Sequence, residues 1–294
     1  DRVIALDGTP TPDLWQLAVD TRLSHEQALS DKERADYLND TLGHSVVQTA
    51  GDAAYSYSGG NAVKPERDGL LFEAVADREG TESALISTKA AISQYEEEGV
   101  LTAVGKHKHY GNLKGSNQFE DERVGIVVGS RHYGDDFIEM WGTLAGKSVK
   151  RVGDGKGMNL DYGEFGNKIL HHMREHEVLQ AVLRFGRNGS PTTVYVHTAA
   201  LPEWVPIEAK GHIDRWSKGK REVFEVLKTD APGEWMTDEI NEQVESISER
   251  QVRNVMNELA EDNLIEKGKD GRATLWVVED DEIGRLQRVR FRSS

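Results

Sequence analysis

The sequence predicts an α/β chain: a parallel sheet lobe followed by a smaller α+β domain. Apolar strand-like runs alternate with helical stretches between about residues 68 and 205, the pattern of parallel strands joined by crossover helices. Near residue 206 the composition shifts, and three helices and a hairpin follow over 219–279. The 294 residues suffice for two domains, or three small ones, each with its own core.

In chain order, VIAL (3–6) reads as a short buried strand, closed by the Gly-, Pro- and Asp-rich turn DGTPTPD. Residues 12–40 are polar and mostly helical in pattern, and residues 41–68 look irregular, with SYSGGNAVKPERDG as a linker. Helical spacing of apolar residues predicts a helix over 68–79; ALIST (84–88) is then a buried strand and KAAISQYEEEGV the helix after it. VGIVVGS (124–130) is the strongest strand signal; helical pattern returns over about 164–184, and TTVYVHTA (192–199) is another strand. Beyond 206, REVFEVLKT, MTDEINEQVES and SERQVRNVMNELAEDN read as helices. Thr237 is the expected N-cap of the second, and Ser248 with Gln251 has capping-box spacing on the third. LIEKGKDGRATLWVV gives two strands around a Lys-Asp-Gly turn.

Composition narrows the function. With no cysteine, disulfides and thiolate metal sites are excluded. No apolar run approaches a membrane span and no signal-peptide pattern opens the chain, so a cytoplasmic protein without a membrane partner is expected. The 36 basic and 51 acidic residues leave a net charge of −15, which, with low hydrophobicity, suits a halophilic cytosol. Near 1 M salt the Debye length is about 3 Å, so this net charge does not argue against nucleic-acid binding. The chain starts at Asp1 and VIAL has no lead-in, so a fragment, or a misassigned start, is expected.

Three helices and then a basic hairpin are similar to a winged helix-turn-helix. On the third helix Val252, Met256 and Leu259 form the buried stripe, leaving Arg250, Gln251, Arg253, Asn254 and Asn257 on the solvent face. These side chains suit phosphates and base edges. Lys267, Lys269 and Arg272 would form a basic wing, and the tail RLQRVRFRSS adds further charge. A protein-contact module with merely solvated charges is the alternative.

LQAVLRFGR (179–187) places Gln180, Arg184 and Arg187 at Gln-x-x-x-Arg-x-x-Arg spacing at the end of an apolar helix. Two arginines three apart share one helical face and can address one phosphate. A held guanidinium beside a transferring phosphoryl group is worth about 10³–10⁵ in rate. Two surface arginines on an amphipathic helix are the alternative. The spacing resembles motif VI of superfamily 2 helicases and related translocases, and other segments follow in the matching order. VIALDGTP resembles the strand and turn closing a first RecA-like lobe, with Asp7, Gly8 and Thr9 in the turn. ALISTK (84–89) resembles motif IV, and GNLKGSNQFEDERVGIVVGS, with its glycine turn at Gly115 and Asn117, resembles the motif V region.

The resemblance covers residues 1–10 and about 68–205. It implies the end of a first lobe and a connector at 1–67, a second RecA-like lobe at 68–205, and leaves the winged helix at 206–294. It implies Arg184 and Arg187 as arginine fingers, Gln180 as a nucleotide-sensing group, and Asp7, Thr9, Gly115 and Asn117 as nucleotide–DNA coupling residues. ATP and Mg2+ would bind only with a first lobe, because Walker A and Walker B are absent here; they are expected upstream of Asp1 or on a partner. The sequence departs from the family in its DGT turn and in the roughly 50 residues between motifs V and VI, which include RVGDGKGMNLDYGEFG.

Other patterns weigh less. WGTLAGKS (141–148) has three residues, not four, between Gly142 and Gly146 and so misses P-loop spacing. HMREH (172–176) matches a zinc-peptidase His-x-x-Glu-His but has no evident third ligand, so no metal is expected. KHKHYG (106–111) reads as a loop of solvated histidines, and DGKG (154–157) is too short for a calcium loop. The leading expectation is the C-terminal part of an ATP-dependent DNA helicase or translocase. Its rivals are an ATP-independent winged-helix DNA-binding regulator with a degenerate α/β domain, and a metallohydrolase using HMREH.

Overall fold

The computed structural model describes residues 4–293 except 20, 114, 214–215, 230, 262–264, 272 and 279–288. The chain divides into two compact units, residues 1–211 with 291–294, and residues 212–290.

The first unit opens with α1 (Pro12–Val19) and α2 (Asp31–Asp36), which runs into a π turn at 37–41. Glu33 caps α2 by accepting from the Ser30 backbone N–H at 2.7 Å. After β1 (His44–Gln48) comes α3 (Pro65–Glu79), started by Pro65, whose missing N–H costs nothing there, and ended by Gly80 at φ 67°. Then follow β2 (Ser83–Ser87), α4 (Lys89–Glu97), capped by Thr88, the strands β3 (Val104–His109) and β4 (Val124–Val128), and α5 (Asp135–Leu144). One long helical run holds α6 (Gly163–His171), a π turn at 172–176 and α7 (Glu177–Val182), before β5 (Thr192–His197) and β6 (Ala209–Ile213). The second unit holds α8 (Lys218–Thr229), β7 (Gly233–Met236), α9 (Thr237–Gln243), α10 (Glu249–Glu261), β8 (Glu266–Asp270) and β9 (Ala273–Val278). Strand β10 (Val289–Ser293) closes the chain.

The large sheet has the order β10-β6-β1-β5-β4-β2-β3, and its six strands from β6 to β3 are parallel. The small sheet, β7-β9-β8, is antiparallel. Strands β2 and β4 are buried along their whole length, so their apolar residues run on without alternation, in β2 between two buried serines, Ser83 and Ser87. Val46, Ile86, Val127, Val194 and Val196 meet Val178 and Val182 of α7 in one core. Each such side chain contributes about 1.5–3 kcal/mol by leaving water. A satellite cluster joins Leu14 of α1 to Ile138, Val149, Ile169 and Met173. The second unit has its own core, in which Val252, Met256 and Leu259 of α10 meet Val223, Leu227 and Trp276.

Several elements differ from the sequence expectation. Residues 4–6 are not a strand; Ile4 is 85 % and Leu6 93 % exposed. The stretch expected as irregular contains β1, a central strand, and the linker is not a linker: Tyr57 is buried and donates to Asp68, and α3 already starts at Pro65. No boundary falls at 67/68, and the sheet reaches from β1 to β6 beyond the expected 68–205. KHKHYG is mostly the edge strand β3, whose lysines and half-exposed faces mask its strand pattern. Met236, not Thr237, is the N-cap of α9; its N–H bonds the Glu239 carboxylate at 2.7 Å, while Thr237 Oγ1 accepts from Trp276 Nε1. At α10 the Gln251 side chain does accept from the Ser248 N–H, at 3.0 Å.

Candidate functional site

The DGT turn is folded by its own aspartate. Asp7 Oδ1 accepts from the Thr9 N–H at 2.9 Å, the geometry of an Asx turn, and Asp7 Oδ2 accepts from Trp15 Nε1 at 2.8 Å. This presents the buried Thr9 to α7, where Gln180 Nε2 donates to Thr9 Oγ1 at 2.7 Å. The segment continues along the long helical run. Thr11 Oγ1 lies 3.0 Å from His172 Nδ1, and Lys168 Nζ donates to Asp13 Oδ2 at 2.8 Å. Leu14 then anchors the strap in the satellite core.

Helix α7 ends at Val182, so Arg184 and Arg187 stand in the loop after it and not on one helical turn as expected. Tertiary packing ends the helix. Phe185 is fully buried against Phe119, and Gly186 turns at φ 58° with its N–H held by the Glu122 carbonyl at 3.1 Å. A side chain at Gly186 would collide with Thr192, so glycine is required. Both arginines nevertheless line one cavity of about 300 Å³ with Leu6, Asp7, Thr9 and Gln180. Among the described residues neither guanidinium makes a side-chain hydrogen bond or ion pair. Partial burial, and then the neighbouring charge of Arg187, hold Arg184 below the usual arginine pKa, against the pull of Glu177. Arginine stays protonated regardless, so two like charges remain side by side, offset only in part by Glu177 and by Asp7 in the same lining. An anion between them would relieve that repulsion.

Gly115 and Asn117 do not line this cavity. Gly115 turns at φ 70°, and the Asn117 carbonyl accepts from Glu120 N at 3.1 Å. Their loop is nevertheless bonded to the arginine loop, through Gly186 N to Glu122 O and Asn188 N to Glu120 O. In the second unit Arg250, Gln251, Arg253 and Asn254 are exposed and Asn257 half-buried. Arg253 pairs with Glu249 at 2.6 Å, and Lys267 Nζ donates to Asn257 Oδ1 at 2.6 Å. Lys269 is exposed on β8; Arg272 lies outside the described residues.

The π turn 172–176 is HMREH itself. Its Glu175 is buried and engaged by Arg174 and His171. Among the described residues no group of three His, Asp or Glu could hold a metal ion. Gly142 sits inside α5 with Val149 against it, so WGTLAGKS ends a helix and does not begin one. Among the described residues no helix is long and apolar enough to cross a membrane.

A buried polar network lies at the carboxyl end of β5, and sequence reasoning did not single it out. Asp68, fully buried, pairs with Arg67 at 2.7 Å and accepts from Tyr57 at 2.9 Å and Tyr95 at 2.8 Å. His197 Nε2 stands 3.8 Å from its carboxylate. Burial raises the Asp68 pKa, opposed by Arg67 and by the hydrogen bonds; burial and the Arg67 charge push His197 down to about 3. Tyr55, at φ 41°, stacks on His197 at 4.8 Å and lies beneath Arg67. One sequence signal was available: Asp68, Leu71, Phe72 and Val75 share a helical stripe, so the acid sits on an apolar face.

Compared with protein-family models, curated proteins and solved structures, the chain matches none of them.

Proposed function

We propose that the α/β unit is the second RecA-like lobe of an ATP-driven DNA translocase. In this reading Arg184 and Arg187 complete a nucleotide site whose Walker motifs come from a lobe upstream or from a partner. One observation carries the reading: the DGT turn and the Gln180–Arg187 segment, far apart in sequence, converge on one cavity with two unpaired guanidiniums. The donor set suits phosphate oxygens. The cavity, about 300 Å³, is at the small end for a ligand site and suits a phosphate tail more than a whole nucleotide.

ATP with Mg2+ would supply the phosphoryl-transfer chemistry. Arg184 and Arg187 would balance negative charge on the terminal phosphate. Thr9 fixes the rotamer of Gln180, so that its amide is held beside the arginines. The hydrogen bonds between the 117–123 loop and the arginine loop would carry motion from that site toward β4.

The second unit is read as a winged helix that grips DNA. Its order of three helices and three strands supports this, as does the exposed polar face of α10. Because this unit has its own core, a DNA-binding regulator that uses no ATP is the second reading. Arg184→Ala in the native protein separates them. Loss of ATP turnover with DNA affinity unchanged supports the motor; turnover at the wild-type rate removes the arginine fingers, and no turnover in either protein favours the regulator.

A further inference from the structure

The arginine loop precedes β5, at the amino ends of the strands; at their other end lies a second cavity, of about 190 Å³. It sits beyond the carboxyl ends of β1 and β4, where the chain continues to Ser56 and His132 and is bridged between Ser56 and Ser130. Ligands of open parallel sheets bind at the carboxyl ends of the strands. The loop 151–160, part of the stretch that departs from the helicase pattern, brings Arg151 and Lys156 to the cavity.

The loop is built in place. Arg174, 3 % exposed, donates from Nη1 to the Gly157 carbonyl at 2.9 Å, and Val152 N bonds Asp161 O at 2.8 Å. Arg151 donates to the Gly155 carbonyl. Asp135 is the one carboxylate lining the cavity, and it is already engaged: Tyr162 donates to it at 2.6 Å and Arg151 lies 3.7 Å away. His132 Nδ1 accepts from Gly134 N at 3.1 Å, so a neutral His132 carries its proton on Nε2. Lys156 has no ion-pair partner among the described residues. The cavity thus offers cationic and hydroxyl donors and no free anionic acceptor, in a chain of net charge −15.

The geometry points to a binding site for a terminal phosphate, a phosphomonoester, held by Arg151, Lys156 and Ser56 over the Arg174 floor. A terminal phosphate offers three acceptor oxygens to this donor set, one more than a bridging phosphodiester. The cavity is too small for a whole nucleotide, so the phosphate enters and the rest of its carrier stays outside. The shared chemistry is the phosphomonoester; its source is either the 5′ end of a nucleic-acid strand or a free phosphate. The inference does not depend on the motor reading, because none of these residues lines the Arg184 cavity.

The test uses the full chain and three probes: a 5′-phosphorylated trithymidylate, the same trinucleotide with a 5′-hydroxyl, and inorganic phosphate. Calorimetric titration should show the phosphorylated probe binding about tenfold tighter, or more, than the hydroxyl one. With Arg184→Gln and Arg187→Gln in place to silence the other arginine cavity, adding Arg151→Gln and Lys156→Gln, two exposed side chains, should make the chain bind the two trinucleotides alike. Arg184→Gln with Arg187→Gln should keep the preference. Competition by inorganic phosphate at equal concentration would mean a free-phosphate site, and its absence a strand-end site. Equal binding of the two trinucleotides by the wild type, no binding of any probe, or a preference that survives in the variant changed at Arg151, Lys156, Arg184 and Arg187 together, overturns the inference.

Discussion

Gln180 donates to Thr9 at 2.7 Å across 171 residues of chain. The bond joins the N-terminal turn to the helix that leads into the arginine loop, and it fixes the one polar side chain of α7 that faces both. Thr9→Val keeps the shape and removes the acceptor. It should cost about 1 kcal/mol of stability in urea unfolding, the net worth of one hydrogen bond. A change near zero would mean that water replaces Thr9 without loss.

The paired guanidiniums predict anion-linked stability. Inorganic triphosphate should raise the melting temperature of the wild-type chain, by about 2.7 kcal/mol of stabilisation when present at a hundred times its Kd. Arg184→Gln with Arg187→Gln should abolish the part of the shift that remains once Arg151 and Lys156 are also replaced. An unchanged shift in that quadruple variant would place the triphosphate elsewhere.

Gly125 in β4 leaves room for Phe185. A Cβ at that position would stand 2.6 Å from the ring, so Gly125→Ala must push Phe185 and the loop that carries Arg184. Overpacking of this kind costs about 1–3 kcal/mol. Thermal unfolding reads the cost, and triphosphate affinity should fall with it. Normal stability and affinity would show that Phe185 does not position the loop.

The Asp68 network should behave as a buried ion pair. Asp68→Ala leaves Arg67, Tyr57 and Tyr95 without their shared acceptor and should destabilise the fold by about 3–5 kcal/mol. Tyr95→Phe removes one hydrogen bond and should cost far less, about 1 kcal/mol. Denaturant midpoints for the two variants check the order; similar costs would mean that the charge matters no more than a single hydroxyl.

Burial lowers four histidines, His44, His132, His176 and His197, and the last two are shifted furthest and shape the acid limb of stability most. Burial with the Arg67 charge holds His197 near a pKa of about 3, and burial with the His172 charge holds His176 near about 4, against an ordinary value of 6.5. Below 6.5 the unfolded chain takes up protons that these folded sites refuse. Their stabilisation is therefore fully present above pH 6.5 and declines as pH falls toward 4. Asp68, raised by burial, acts in the opposite sense and softens the decline. Melting temperature should drop from about pH 6.5 to about pH 4, and His197→Gln should flatten the slope. An unaltered slope in that variant would remove His197 from the account.

The sequence by itself determined the elements whose signals are local. Strands β2, β4 and β5 are apolar runs, α3 and α4 carry helical stripes, and α10 shows its buried stripe and its Ser248–Gln251 cap, whereas the proline start of α3 and the threonine cap of α4 lay hidden in stretches that read as linker and strand. The motif resemblance named Gln180, Arg184 and Arg187 together with Asp7, Thr9, Gly115 and Asn117; the first three meet Asp7 and Thr9 at one cavity, and Gly115 and Asn117 do not line it. Only the tertiary structure decided the rest. HSVVQ is a strand because β5 and β6 flank it, and KHKHYG lies on a sheet edge because β2 pairs with one side of it; neither stretch carries a period that says so. In VIAL, apolar enough for a strand, the described residues Ile4–Leu6 are not a strand. Arg184 and Arg187 left the helix because Phe185 had a core to enter, and they share a cavity with Thr9 because the N-terminal strap docks on α7. Pairing, burial and docking are relations between distant segments, and a local pattern records only one partner of each.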